Sequence, residues 1–163
     1  MVIEPVVAID GAERFEFAGL GIDVPAGMAA TTQTLNDGST QVQLREDGAA
    51  RAAVIVTVTP QVGANSTIVD ATSDLTAIEL TKGGAASGIV RSPATWEGMP
   101  YAVVLTCDLA VEVDGAEVAK QAIVVTMSNP DESQVIGASA EAPAAGLESS
   151  EAYAALRTLR FDG

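Results

Sequence analysis

Carboxylates are the only plentiful side chains in this sequence that could carry out chemistry. The 163 residues include 22 Asp and Glu, 8 Lys and Arg, one Cys and no His. Without histidine, the chain cannot build the usual Ser-His-Asp or Cys-His nucleophile systems, or an imidazole zinc site. One cysteine cannot supply a thiolate zinc site either. Only carboxylate-based catalysis or a metal held by oxygen ligands is left open.

The spacing of the acids favours neither possibility. Asp108, Glu112 and Asp114 recur on the expected solvent face of a hairpin, where alternation with a buried face explains them more simply than a catalytic acid/base pair does. No Asp-x-Asp-x-Asp-Gly calcium loop occurs, and the glycine pairs at 19/21 and 83/84 lack the pattern of a phosphate loop. We therefore predict no catalytic, cofactor-binding or metal-binding residues, no cofactor and no enzymatic activity.

Cys107 is predicted to act as a small buried hydrophobe. It ends the run from Val103 to Cys107, which is mostly apolar. A nucleophilic cysteine needs a setting that lowers its pKa and usually a histidine, which this chain does not contain. As the only cysteine, it cannot form an intramolecular disulfide.

The segment 92–101 is the one region where we expect a binding surface. It places Trp96, Met99 and Tyr101 in a loop between two strands, and these residue types are enriched at contact sites. The three are our candidate partner contacts. The alternative is that Trp96 caps the open end of a core that has few aromatic rings.

The first half of the chain predicts three strands and a helix. The strands cover 14–24, with a tight turn or bulge at Gly19, then 40–45, then 52–59, whose nearly continuous apolar residues indicate cover on both faces. The helix covers 66–82. Its apolar residues follow 3-4-3 spacing and form one stripe: Ile68, Ala71, Leu75 and Ile78.

The second half predicts four strands between 88 and 140 and then a second helix. The strands include a hairpin over 101–128 and a last strand over 133–140. The helix covers 149–160, with a stripe made of Ala152, Tyr153, Leu156 and Leu159. Strands that come in runs rather than alternating with helices indicate the α+β class, with a central antiparallel sheet of about six to seven strands.

The turn at Asp114-Gly115 sets the register of the hairpin. A two-residue loop would bury Lys120 beside Leu109, whereas a three-residue loop over 113–115 would set Asp108 opposite Lys120 as a favourable pair. We predict the three-residue loop. The odd-numbered side chains of both arms would then line one dry interior.

Several local phrases resemble the PsbP-like superfamily, which also includes Mog-type, DcrB-like and LpqN-like proteins. They are FAGLGIDVP (17–25), ELT (79–81) at the end of the first helix, WEGMPY (96–101) before the hairpin, and YAALRTLRF (153–161). The resemblance covers nearly the whole chain from about Phe15. It implies a single domain over 1–163, with 1–13 as an extension that could join the sheet edge. It also implies helices on both faces of the sheet (an α/β/α sandwich), no catalysis, and action by binding other proteins.

The formal net charge of −14 limits the classes of partner that the chain could bind. Nucleic acids and anionic membranes are bound through dense Lys and Arg, and the basic residues here are scattered. We therefore predict no nucleic acid and no membrane partner, and that the charge serves solubility or steers the chain to a basic protein.

The start of the chain, Met-Val-Ile-Glu-Pro, lacks the basic region of a secretory signal, and no stretch of 18 apolar residues occurs. Many bacterial members of the superfamily carry a lipoprotein cysteine near the start, and this chain has none. The expectation is a cytoplasmic protein as written, or an exported or envelope-attached one if an N-terminal signal has been removed.

The predicted function is that of a non-catalytic, soluble protein-interaction module. The alternative is a small-molecule carrier or sensor with an apolar pocket between sheet and helix, lined by Val, Leu and Met. A carboxylate-dependent hydrolase or lyase is the least favoured reading.

Overall fold

The computed structural model describes residues 1–61, 63–80 and 84–162. Within these ranges the chain forms strands and two helices. They are β1 (Glu13–Phe17), β2 (Leu20–Val24), β3 (Met28–Thr34), β4 (Thr40–Glu46), β5 (Val54–Pro60), α1 (Ser66–Leu80), β6 (Gly84–Pro93), β7 (Ala102–Val113), β8 (Ala116–Ser128), β9 (Gln134–Pro143), α2 (Glu151–Leu156) and β10 (Arg160–Phe161).

The main sheet has seven strands in the order β3-β4-β5-β9-β8-β7-β6, and every neighbouring pair is antiparallel. A second sheet has the order β1-β2-β10. The predicted antiparallel α+β sheet is therefore confirmed. The predicted helical layers on both faces are not supported, because the described helices are only two and α2 has only six residues.

The larger core lies between one face of the main sheet and a layer made of the second sheet and α2. Alternation brings Val54, Val56 and Val58 of β5 to this face, where they pack with β4, β9 and the end of β8. Leu20 and Leu156 close the core from the other side. The second sheet, together with α2, therefore covers a face of the main sheet that the sequence analysis expected helices to cover.

A smaller core lies on the opposite face, at the β7–β8 end of the sheet. It contains Leu105, Cys107, Leu109, Val111, Ala122 and Val124. Strand β8 is thus buried on both faces, because its odd-numbered residues from Ile123 to Met127 belong to the larger core. Helix α1 lies against β7, β8 and β9.

The apolar stripe predicted for the first helix exists, but it does not face the sheet. Val69 and Ser73 are buried, whereas Leu75 is 64% and Ile78 is 60% exposed. A stripe of this kind normally faces a core. Among the described side chains of the helix, Val69 and Ser73 are buried, Thr72 and Thr76 are partly buried, and most of the apolar stripe lies in solvent. The predicted end at Lys82 and Gly83 lies outside the described residues.

The hairpin register prediction is wrong. Val113 pairs with Ala116, so the loop has two residues, and Asp114 and Gly115 both have positive φ (51° and 79°), as a type I′ turn requires. Leu109 therefore lies opposite Lys120, and Asp108 lies opposite Gln121 instead of Lys120. Because the loop has two residues, the odd-numbered side chains of β7 and β8 lie on opposite faces.

The other predicted strands are partly confirmed. The tight turn in 14–24 is confirmed, because Ala18 and Gly19, which both have positive φ, separate β1 from β2. Strand β5 confirms the prediction over 52–59, but Ile55 and Thr57 on its second face are only partly buried. Strand β3 was missed because its Ala, Thr and Gln residues show no apolar alternation. The N-terminal extension is anchored at Val2, which forms a bridge with Thr95.

Candidate binding groove

A groove of about 810 Å³ lies on the face of β4, β5 and β9 that points away from the larger core. Its floor is built by alternation, since each strand turns one set of side chains to the core and the other set to the groove. The floor consists of Gln41, Gln43, Ile55, Thr57, Thr59, Gly137 and Ser139. The residues of the floor are therefore mostly polar in type, unlike the Val-, Leu- and Met-lined pocket that the sequence suggested.

Side-chain amides are linked across this floor. The Oε1 atom of Gln41 accepts hydrogen bonds from Nε2 of Gln33 (2.8 Å) and Nε2 of Gln43 (2.9 Å). The Nε2 atom of Gln41 donates to Oγ1 of Thr57 at 3.1 Å. These bonds join the amides of β3 and β4 to the Thr57 hydroxyl of β5, so the floor is preorganised.

A buried carboxylate closes one end of the groove. Glu141 lies near the end of β9, and its side chain lines the groove and is 4% exposed. Its Oε1 and Oε2 atoms accept hydrogen bonds from Nε of Arg51 at 2.7 and 2.9 Å, and Nζ of Lys120 lies 3.3 Å from Oε2. The carboxylate is therefore held between two cations, which is the arrangement of a structural ion-pair network.

This network explains why the register prediction failed. A two-residue loop was rejected because it buries Lys120, and Lys120 is indeed partly buried. Its partner Glu141 comes from β9, and hairpin parity alone does not reveal which acid the next strand places there. An isolated buried charge is costly, but a paired one is tolerated.

The walls of the groove come from α1, the hairpin tip and the β3–β4 turn. Helix α1 contributes Thr72, Leu75 and Thr76, the hairpin tip contributes residues 112–114, and the turn contributes Leu35 and Asp37. Thr76 approaches the floor closely, because a Cβ added to Gly137 would lie 3.3 Å from its Oγ1 atom. Leu75, by contrast, points largely into solvent.

The charges at the groove are unequally engaged. Arg45 donates to the carbonyl oxygen of Ala50 and to Oε1 of Gln43, and Arg51 is bound to Glu141. Two hydrogen bonds from Ser39 hold the pKa of Asp37 below its ordinary value. The bond from the hydroxyl contributes most and the bond from the backbone N–H contributes next, so Asp37 stays charged.

The three acids singled out in the sequence are only partly brought together. Glu112 and Asp114 both line the groove, whereas Asp108 is an exposed residue further along β7. Among the described residues, no group of three or more His, Cys, Asp or Glu side chains could hold a metal ion. The predicted strand 40–45 rests on weak alternation through Val42 and Leu44, and the residues between them, Gln41 and Gln43, lie on the groove floor.

The candidate partner contacts at 96–101 occupy different environments. Trp96 belongs to the larger core, is 4% exposed, and its Nε1 atom donates to the carbonyl oxygen of Leu159 at 3.3 Å. This placement agrees with the alternative reading of a core cap. Met99 is partly buried against the same core, and Tyr101 is 38% exposed. Of the three, Tyr101 offers the most surface to a partner.

Cys107 is buried in the smaller core, as the sequence predicted. Burial raises the pKa of its thiol, and the neighbouring negative charge of Asp108 raises it further. The thiol is therefore protonated at neutral pH, which makes it a poor nucleophile.

No helix among the described residues is long and apolar enough to cross a membrane. No protein-family model matches the chain, and no curated protein matches it either.

Proposed function

We propose that this protein is a non-catalytic interaction module that binds a basic segment of another protein at the groove. The observation that carries the proposal is Leu75, a large apolar side chain that is 64% exposed on the wall of a groove whose floor is hydrogen-bonded. Protein interfaces commonly combine an apolar centre with a polar rim. The absence of histidine supports the non-catalytic part of the proposal.

The apolar contribution comes from the outward stripe of α1. Leu75 and Ala71 are both exposed, and Ile68 is partly exposed beside them. Single exposed apolar residues are common, but a stripe along one helix face next to a groove marks an interaction surface. An amphipathic segment of the partner would cover the stripe and reach the groove floor with polar groups.

The expected charge of the partner follows from which charged side chains at the groove are exposed. The cations Arg45 and Arg51 are bound by groups of this chain, while the acids Glu112 and Asp114 stand at the exposed hairpin tip. The whole chain adds a net charge of −14. A basic segment would therefore be steered to this surface, and its binding would weaken as salt is added.

Affinity capture from a native lysate tests the proposal with matched variants. The wild type is compared with Leu75→Asp, with the double variant Glu112→Lys/Asp114→Lys, and with Val90→Asp as a control on β6. We expect one protein to be retained by the wild type and the control and lost by both groove variants. About 0.5 M salt should release it.

A photo-crosslinking amino acid in place of Leu75 then identifies the contact. The proposal expects the cross-link to fall in a segment rich in Lys and Arg. Capture that survives both groove variants, or a cross-link to an acidic segment, would contradict it.

A small-molecule carrier or sensor is the second candidate, and the size of the groove favours it. A volume of about 810 Å³ lies within the range of about 300 to 1,000 Å³ that is usual for ligand sites. The polar floor indicates a hydrogen-bonding ligand instead of the apolar one expected from the sequence. Native mass spectrometry of the purified protein decides between the candidates, because a retained ligand mass that is lost on Ser139→Leu would favour the carrier.

Membership of the PsbP-like superfamily is likewise a proposal. Its support is the placement of the matching phrases, since FAGLGIDVP spans the β1–β2 turn and β2, and WEGMPY directly precedes β7. The closing phrase YAALRTLRF spans α2 and β10. The α/β/α arrangement implied by that resemblance remains part of this proposal.

A further inference from the structure

The two edges of the seven-stranded sheet are built differently. The β6 edge is interrupted by a register shift between Ser87 and Val90, where Gly88 has φ of 60°, and the strand ends in Pro93. In addition, Arg91 reaches from β6 to Asp74 of α1 at 2.6 Å. Bulges, prolines and charges are the usual devices that keep an edge strand from pairing with another chain.

The β3 edge has none of these devices. Its seven residues pair with β4 without a register shift, and the residues from Thr31 to Thr34 are all exposed. The stretch from Ala26 to Asn36 contains no charged residue and no proline, in a chain where 30 of 163 residues are charged. An unbroken, neutral edge of this kind favours strand addition.

The hydrogen-bond phase of the β3–β4 pair identifies the open backbone groups. Leu35 donates to Ser39 at one end of the ladder, and Asp47 donates to Gly27 at the other. Because hydrogen-bonded pairs alternate along an antiparallel ladder, the odd-numbered residues of β3 bond to β4. The N–H and C=O groups of Ala30, Thr32 and Thr34 therefore point away from the sheet.

We propose that β3 pairs antiparallel with β3 of a second copy of this chain, about a two-fold axis at Thr32. The three outward positions are symmetric about Thr32, so Thr32 would pair with its own copy and Ala30 with Thr34 of the other copy. Each such pair exchanges two backbone hydrogen bonds, which gives about six in all. The sheets of both copies would become continuous, with their larger cores on the same side.

The absence of charge on β3 favours a second copy as the molecule that pairs with it. Two chains that each carry a net charge of −14 repel one another, so they can approach most closely where neither chain carries charge. The proposed register sets Thr opposite Thr, Ala opposite Thr and Thr opposite Gln, so no like charges face each other across the new pair. Asp37 follows the paired segment along the chain and Glu46 pairs with Met28, so both acids lie beyond its ends. Added salt should therefore strengthen this association, whereas it should weaken binding of a basic partner at the groove.

Sedimentation velocity from about 10 μM to about 1 mM protein tests the proposal. The wild type should form dimers, and more of them in about 0.5 M salt than in low salt. Thr32→Pro removes a donor that β4 does not use, so the monomer should keep its circular dichroism spectrum while dimerisation weakens at least about tenfold. Thr32→Lys should weaken it similarly by placing two cations at the axis, and Val90→Lys on β6 should leave it unchanged.

Amide hydrogen exchange adds a readout specific to the register. The amides of Ala30, Thr32 and Thr34 should exchange more slowly as protein concentration rises, while the amides of β6 should not change. A wild type that stays monomeric at about 1 mM in high salt would overturn the proposal. Dimers that persist in both Thr32 variants, or that disappear in Val90→Lys, would overturn it equally.

Discussion

The two helices use their apolar residues in opposite ways. Helix α2 is short, yet it buries Ala152, Ala155 and Leu156 in the larger core. Helix α1 has 15 residues, but Leu75 and Ile78 of its apolar stripe are exposed. The comparison shows that an apolar stripe identifies a helix face that packs against something, but not whether the packing partner is the sheet or another molecule. For α2 the cover is the sheet, and for α1 we propose that it is a partner.

The underside of α1 sharpens this contrast. Ser73 of the helix and Thr126 and Ser128 of β8 are buried, and among the described residues their hydroxyl oxygens have no hydrogen-bond partner. Buried hydroxyls without partners contribute little to stability or reduce it. We therefore expect the contact between α1 and the sheet to contribute less stability per residue than that of α2, although α1 is longer.

The largest difference should appear between two leucines. Leu156→Ala removes a fully buried side chain from the larger core and should cost about 3 kcal/mol of unfolding free energy. Leu75→Ala removes an exposed side chain and should change that free energy by less than about 0.5 kcal/mol. Urea denaturation followed by circular dichroism measures both. Similar losses would mean that α1 packs by its stripe, and the groove would then need a different description.

The next effect concerns the buried ion pairs on the α1 side of the sheet. Glu141→Ala leaves Arg51 and Lys120 without their shared carboxylate. We expect a loss of about 2 kcal/mol, less than for a fully buried pair because both cations retain some contact with water. Glu112→Ala, at an exposed acid of the same groove, is the control and should cost less than about 0.5 kcal/mol. Equal effects would show that the network does not stabilise the fold.

These contrasts also show how far the sequence could lead. Strand β5 and the burial of Cys107 followed from apolar runs, and the turn at Gly19 followed from a change in the phase of alternation within 14–24. Strand β3 did not, because an edge strand with little buried surface carries no apolar alternation. The pairing of Lys120 with Glu141 could not be predicted either, because it depends on which strand lies beside β8.

The groove was missed for a related reason. Its polar floor looks like an ordinary solvent face in each strand taken alone. Gln41, Thr57 and Ser139 become one surface only when β4, β5 and β9 are neighbours, and β9 joins β5 across more than 70 residues of chain. Sequence periodicity describes faces of single elements, while a site built from three strands requires their order.

Two serines should respond with opposite signs. Ser150 caps α2, since its Oγ atom accepts a hydrogen bond from the N–H of Tyr153 at 3.1 Å, so Ser150→Ala should cost about 1 kcal/mol. Ser73→Ala removes a buried hydroxyl without a partner and should leave stability unchanged or raise it by up to about 1 kcal/mol. Thermal and urea unfolding measure both. A clear loss in Ser73→Ala would show that its hydroxyl is hydrogen-bonded in solution, which would weaken the contrast between the helices.

The smallest effect concerns the ion pair that holds β10 in the layer formed with α2. Arg14 donates from Nε and Nη2 to Asp162, both at 3.0 Å, and these hydrogen bonds are the main reason that the pKa of Asp162 lies below its ordinary value of 3.8. A lowered pKa means that the folded state favours the charged carboxylate. Its contribution is therefore complete above about pH 5 and is lost as the pH falls below about 4. Because the pair is near the surface, Asp162→Asn should cost at most about 1 kcal/mol at pH 7.

At pH 2 to 3 the variant and the wild type should converge in unfolding free energy, since Asp162 is then increasingly protonated in both states. Arg14→Lys is the companion variant, because lysine keeps the charge but cannot make the two-pronged contact. A difference that stays constant from pH 7 to pH 3 would mean that Asp162 holds β10 by packing and not by its charge.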